Sequence, residues 1–92
     1  MAYIFHFNPS TPMSATKYDE IMKRLDAAGA SAPAGRMYHA CYGDADRLRV
    51  FDVWDSPASF EQFGPTLLPI LQEMGVDPGQ PEVNETHNIV IG

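Results

Sequence analysis

The sequence predicts an α+β fold in which two helices cover one face of a four-stranded antiparallel sheet. Three observations carry that prediction. Short runs rich in aromatic and branched residues alternate with two longer stretches of helical periodicity. The order along the chain is strand, helix, strand, strand, helix, strand. The two middle strands are joined by a short polar turn, Gly43-Asp44-Ala45-Asp46, which suits an antiparallel hairpin.

Tyr3-Ile4-Phe5-His6-Phe7 reads as the first strand, stopped by the turn-forming pair Asn8-Pro9. Tyr3, Phe5 and Phe7 line one of its faces, and Ile4 and His6 the other. Ser14 is placed to cap the first helix. Tyr18, Ile21, Met22, Leu25 and Ala28 recur at the spacing of a buried helical stripe. Asp19–Lys23 and Glu20–Arg24, acid first and four apart, suit its exposed face. Gly29 ends the helix in the position where glycine is favoured. Small residues from Ala30 to Gly35 lead to a second strand over Arg36–Tyr42, with Met37, His39 and Cys41 on one face and Tyr38, Ala40 and Tyr42 on the other.

Leu48 to Trp54 is the third strand, and Asp52 and Trp54 share a face near its end. A turn that sets Gly43 opposite Leu48 also sets His39 opposite Asp52, Cys41 opposite Val50 and Met37 opposite Trp54. A slip of one residue removes the His39–Asp52 pairing. Ser56-Pro57 is a strong helix start, an N-cap followed by proline at the first helical position. Phe60, Phe63, Leu67, Leu71 and Met74 mark its buried stripe. Gly64-Pro65 and Pro69 interrupt it, so a kinked helix or two short helices are expected, with a break between Gly64 and Pro69. After Gly75 and a loop over Val76–Pro81, Glu82–Ile91 reads as the last strand. The whole is βαββαβ, the ferredoxin-like arrangement, with both helices on one sheet face. The opposite face keeps the apolar side chains of one parity, and pairing two sheets face to face would cover them. A homodimer is expected on that ground.

Composition narrows the function classes. The chain has 92 residues, enough for one domain over 1–92 with a thin core. Twelve acids against six bases give a net charge of -6, with no basic cluster, which argues against nucleic acid and anionic membrane surfaces. No apolar run approaches the ~20 residues that span a bilayer. There is no secretory signal pattern at the N-terminus, and Cys41 is the sole cysteine, so a cytoplasmic location is expected.

Asp52-Val53-Trp54, followed by the helix start Ser56-Pro57-Ala58-Ser59-Phe60, resembles the dimeric α/β-barrel proteins, the superfamily that includes antibiotic-biosynthesis-type monooxygenases and small polyketide cyclases. The resemblance runs from Tyr3 to Ile91 in element order and length. It implies two ferredoxin-like sheets paired into a dimeric barrel, with a ligand cleft between sheet and helices. Those of the monooxygenases that work without a cofactor bind a polycyclic phenol in such a cleft. Their pattern has a tryptophan where Trp54 stands, an asparagine four residues before it and a tyrosine six after. Here those two positions are Val50 and Phe60, so only the tryptophan carries over. The cyclases instead use strand histidines as general bases helped by a tyrosine, for which His6, His39, His87, Tyr18, Tyr38 and Tyr42 are the available residues.

From the residues themselves, His39 with Asp52 is the best acid–base pair. The carboxylate would hold the imidazole in one tautomer and suit it to take a proton. Trp54, His87 and Tyr18 are the candidate substrate-binding residues. Each has a structural alternative: a satisfied cross-strand polar pair for His39–Asp52, a core side chain for Trp54 and Tyr18, and a surface or dimer seam for His87. His6, His39 and His87 lie on different strands without metal-binding spacing, so no metal site is expected, and no glycine-rich phosphate loop is present. Two functions follow. One is a small enzyme, oxygenase- or cyclase-like and without a cofactor, acting on a small aromatic or polyketide-like molecule. The other is a non-catalytic ligand-binding or stress-related dimer, or an accessory subunit.

Overall fold

The strand-forming runs pair into one sheet because the two apolar helical stripes have a single face to pack against. The structure, a computed structural model, describes residues 1–92. Its elements are β1 (Tyr3–Phe7), α1 (Ala15–Ala27), β2 (Arg36–Asp44), β3 (Arg47–Trp54), α2 (Pro57–Glu73) and β4 (Glu82–Glu85). The strand order is β2-β3-β1-β4, and every neighbouring pair is antiparallel. This is the expected α+β, ferredoxin-like arrangement. Phe5, Phe7 and Trp54 from the sheet meet Ile21 and Leu25 of α1 and Phe63 and Leu71 of α2 in one buried cluster. Both helices therefore cover the face that carries the odd residues of β1.

The helix starts form as the sequence requires. The Ser14 hydroxyl accepts from the Lys17 N–H at 3.1 Å, and that of Ser56 from the Ser59 N–H at 3.2 Å. Each satisfies one amide that the first turn leaves without a partner. Arg24 bridges Glu20 of its own helix at 3.2 Å and Glu73 of α2 at 2.6 Å, tying the helices at their outer surface. Asp19 and Lys23 form no ion pair.

Three expectations are corrected. The second helix is not broken: α2 runs unbroken through Pro65 and Pro69. The two prolines are four apart and exposed, and the carbonyls they leave without a donor, those of Glu61 and Pro65, belong to exposed residues that water can serve. The buried stripe on the opposite side is continuous and holds the helix together. The last strand is also shorter than expected, ending at Glu85 instead of continuing to Ile91. β4 pairs only with β1, from His6 opposite Glu82 to Tyr3 opposite Glu85. The final bond is from the Thr86 N–H to the Ala2 carbonyl at 2.8 Å. Ile89, Val90 and Ile91 lie outside the sheet and are exposed.

The third correction concerns Met37. The β2–β3 hairpin closes on a two-residue turn, with Gly43 opposite Leu48, Cys41 opposite Val50 and His39 opposite Asp52. Toward the start of β2 the register shifts between Arg36 and Tyr38, and Arg36, not Met37, stands opposite Trp54. A bulge of this kind sets two residues against one and re-aims the side chains before it. Met37 is left exposed, and Arg36 turns to the helix side. The position is held by Gly35, whose φ of +89° suits glycine and whose missing side chain would meet the Ser59 Cβ at 2.5 Å and Asp55 Oδ1 at 2.7 Å.

The other sheet face is open. Ile4, Val53 and Tyr38 form one cross-strand row on it, and His6, Phe51 and Ala40 the next. Tyr42 stands beside them, hydrogen-bonded to His6 and covered by the Arg49 guanidinium, 5.3 Å from its ring centroid.

Candidate functional site

The site begins with strand parity. Asp52 and Trp54 point to the helix side of β3, and the hairpin register brings His39 across from Asp52. α1 crosses above and lowers Tyr18 from its inner stripe onto the imidazole, with the two rings nearly parallel at 6° and 6.0 Å between centroids. A hydrogen-bonded chain results. His39 Nδ1 lies 2.6 Å from Asp52 Oδ1, and His39 Nε2 lies 2.6 Å from the Tyr18 hydroxyl. The Trp54 indole N–H donates to Asp52 Oδ2 at 3.3 Å.

The partners determine the directions of these bonds. Ionised Asp52 can only accept, so Nδ1 of His39 carries a hydrogen toward it. In the neutral imidazole Nε2 is then the acceptor, and the Tyr18 O–H donates to it. Burial pushes the Tyr18 phenol up to about 12, with Cys41 adding to the rise and Arg36 opposing it. Tyr18 thus keeps its proton at neutral pH and acts as a donor to His39, not as a phenolate. Burial and the nearby Asp19 also push the Cys41 thiol up. It stays neutral and forms no hydrogen bond to His39, which removes it as an activated nucleophile.

Tyr18, His39 and Asp52 open onto a cavity of about 80 Å³ between sheet and helices. At ~30 Å³ per water in the liquid this holds about two or three waters, or part of a small ring. Its walls are mostly apolar, with Ile21 and Leu25 from α1 and Phe60, Phe63 and Leu67 from α2. An apolar pocket with a few converging polar groups is the usual form of a small-molecule site.

The residues singled out in the sequence are distributed as follows. Tyr18, His39 and Asp52 come together at the cavity. Trp54 does not line it: its side chain is fully buried, edge-on to Phe60 at 5.5 Å and against Phe63 at 5.8 Å. It reaches the site only through Asp52. Of the two roles open to Trp54, ligand contact and core side chain, its burial against α2 corresponds to the core one. His87 lies past the end of β4, exposed and away from the cavity. His6 is on the opposite sheet face with Tyr42, so the three histidines do not converge. One cavity residue was missed altogether: Arg36 lines it, because the bulge at Met37 reverses the parity of the residue before it. Gly35 is the sequence's one trace of that irregularity.

No protein-family profile and no curated protein sequence matches the chain. Solved structures do. SnoaB, a cofactor-independent oxygenase from Streptomyces nogalater, superposes with a TM-score of 0.61 over 97% of this chain and 94% of its own, at 15% identity. A candidate antibiotic biosynthesis monooxygenase from Deinococcus radiodurans gives 0.63 over 99% and 97%, at 10% identity. A second such candidate, from Chloroflexus aurantiacus, gives 0.55 over 99% and 97%, at 18% identity. At these identities what is shared is the fold.

Proposed function

We propose that this chain, which has the fold of the antibiotic-biosynthesis-monooxygenase-like proteins, is a small enzyme that removes a proton from a phenol- or enol-bearing organic molecule without a cofactor. The observation that carries the reading is the Tyr18–His39–Asp52 chain ending in an apolar cavity. A substrate O–H or activated C–H set against the Tyr18 oxygen passes its proton there as Tyr18 passes its own to His39 Nε2. Asp52 then stabilises the imidazolium. The product of that step is a phenolate or enolate, the species from which ring closure or oxygenation proceeds. Val50 and Phe60 replace the polar residues of the phenol-oxygenase pattern, which favours the cyclase-like outcome.

The test is an NMR titration of the three imidazoles against small phenols and aromatic acids. The His39 signals are expected to move with one ligand class while those of His6 and His87 stay, and Tyr18→Phe should weaken the response. If His39 responds to no ligand, the relay is a structural network. The second reading, a non-catalytic binding or assembly module, then takes its place. That reading draws support from the complete hydrogen-bonding of the buried side chains.

The functional unit is a homodimer. Ile4, Tyr38, Ala40, Phe51 and Val53 make an apolar patch on the open sheet face that a second copy would cover. Sedimentation should give twice the mass of one chain, and Phe51→Asp should give one. A wild-type protein that sediments as a monomer would remove the seam. No helix is long and apolar enough to cross a membrane. A cytoplasmic location is part of the proposal, resting on the free Cys41.

A further inference from the structure

We infer that Arg36 makes the cavity a site for small aromatic or enolic acids, its guanidinium pairing with the ligand's carboxylate while the edge of the ligand's ring enters the apolar interior beside Tyr18. The inference rests on the acid–base reading of the same cavity and adds the charge of its ligand.

Four observations carry it. Arg36 is the only cationic side chain fixed in charge among those that line the cavity. It has no carboxylate partner: the ion pairs of the protein involve Arg24 with Glu20 and Glu73, and His39 with Asp52. Its one side-chain hydrogen bond goes from Nη2 to the Ser31 carbonyl at 2.9 Å, which orients the guanidinium and leaves most of its five donors free. The nearest acid in the cavity wall, Asp52, has both oxygens occupied, one by His39 and the other by the Trp54 indole.

The local backbone is built to keep it there. The bulge turns Arg36 to the cavity side. Gly35 before it is wedged against Asp55 and Ser59 at the start of α2, and its carbonyl accepts the Asp55 N–H at 2.8 Å. Asp55 is in turn held by the Ser59 hydroxyl at 2.5 Å. A planar fork held in this way matches a carboxylate through two parallel bonds. The same charge would stabilise the phenolate or enolate formed when the relay takes its proton.

The test uses a matched pair of probes, salicylate and salicylamide, titrated into the full chain while the Arg36 side-chain N–H and the His39 imidazole are followed by NMR. The acid should bind about tenfold to hundredfold more tightly than the amide, the range expected for a charge-assisted bond. Arg36→Gln should erase that ratio by weakening the acid far more than the amide, and Arg36→Lys should restore part of it. A loss of folding would weaken both probes alike, so the ratio reports the charge alone. If acid and amide bind equally while His39 still responds, the inference fails and the acid–base reading stands. If the acid preference depends on Arg36 but His39 is silent, the anion site stands and the proposed chemistry fails. If neither probe binds, both fall.

Discussion

Trp54→Ala is expected to cost about 3–5 kcal/mol of stability, the range for removing a large aromatic side chain from a packed core. Trp54 is wholly shielded from solvent and packs against Phe60 and Phe63. Its loss would open a void between β3 and α2 and strip Asp52 Oδ2 of its donor. A domain of this size has only about 5–15 kcal/mol in total, so the variant should lose a large share of its stability. Urea unfolding of wild type, Trp54→Phe and Trp54→Ala measures it. Phenylalanine should recover most of the loss, since it restores packing though not the indole donor. A midpoint change equivalent to less than about 1 kcal/mol for alanine would mean that α2 does not rest on this ring.

The second large effect is functional. Asp52→Asn should reverse the tautomer of His39. An asparagine at this place has one acceptor and one donor, and the Trp54 N–H can only donate. The amide oxygen must therefore turn to Trp54, which directs the amide N–H₂ at His39 Nδ1. The imidazole then carries its proton on Nε2 and donates to Tyr18 instead of accepting from it. The relay is reversed and no longer offers a base to the cavity, so the rate of any proton abstraction routed through it should fall about 10²–10⁴-fold. Imidazole nitrogen shifts distinguish the two tautomers directly. If Nε2 of His39 stays unprotonated in Asp52→Asn, the relay as described here is wrong. Stability should change far less than in Asp52→Ala, where two buried N–H groups lose their acceptor at about 1–3 kcal/mol each.

Much of this was legible in the residues because it depends on local spacing. The stripe of Ile21 and Leu25 sets the inner face of α1, and the same stripe points Tyr18 inward. Alternation puts Asp52 and Trp54 together, and once the hairpin turn is two residues long, His39 must stand opposite Asp52. None of these needs a partner segment far along the chain.

Where the sequence misled, a distant contact outweighed a local preference. Pro65 and Pro69 favour a break, yet the packing of Phe63, Leu67 and Leu71 keeps α2 continuous. Ile89, Val90 and Ile91 have strand character, yet the ladder with β1 ends at Thr86 and they lie exposed outside it. For Trp54 the residues left ligand contact and core packing both open, and the ring packs in the core against α2.

The sequence by itself determined the order of elements, the sheet face that carries His39 and Asp52, and the helix stripe that carries Tyr18. Only the tertiary structure decided that Tyr18 reaches His39 and that Arg36 lines the cavity in place of Met37. The reason is geometric: periodicity assigns a side chain to a face. Which residue meets which across that face depends on helix placement and on a bulge held where Gly35 packs against Asp55 and Ser59, contacts between segments that spacing along the chain does not encode.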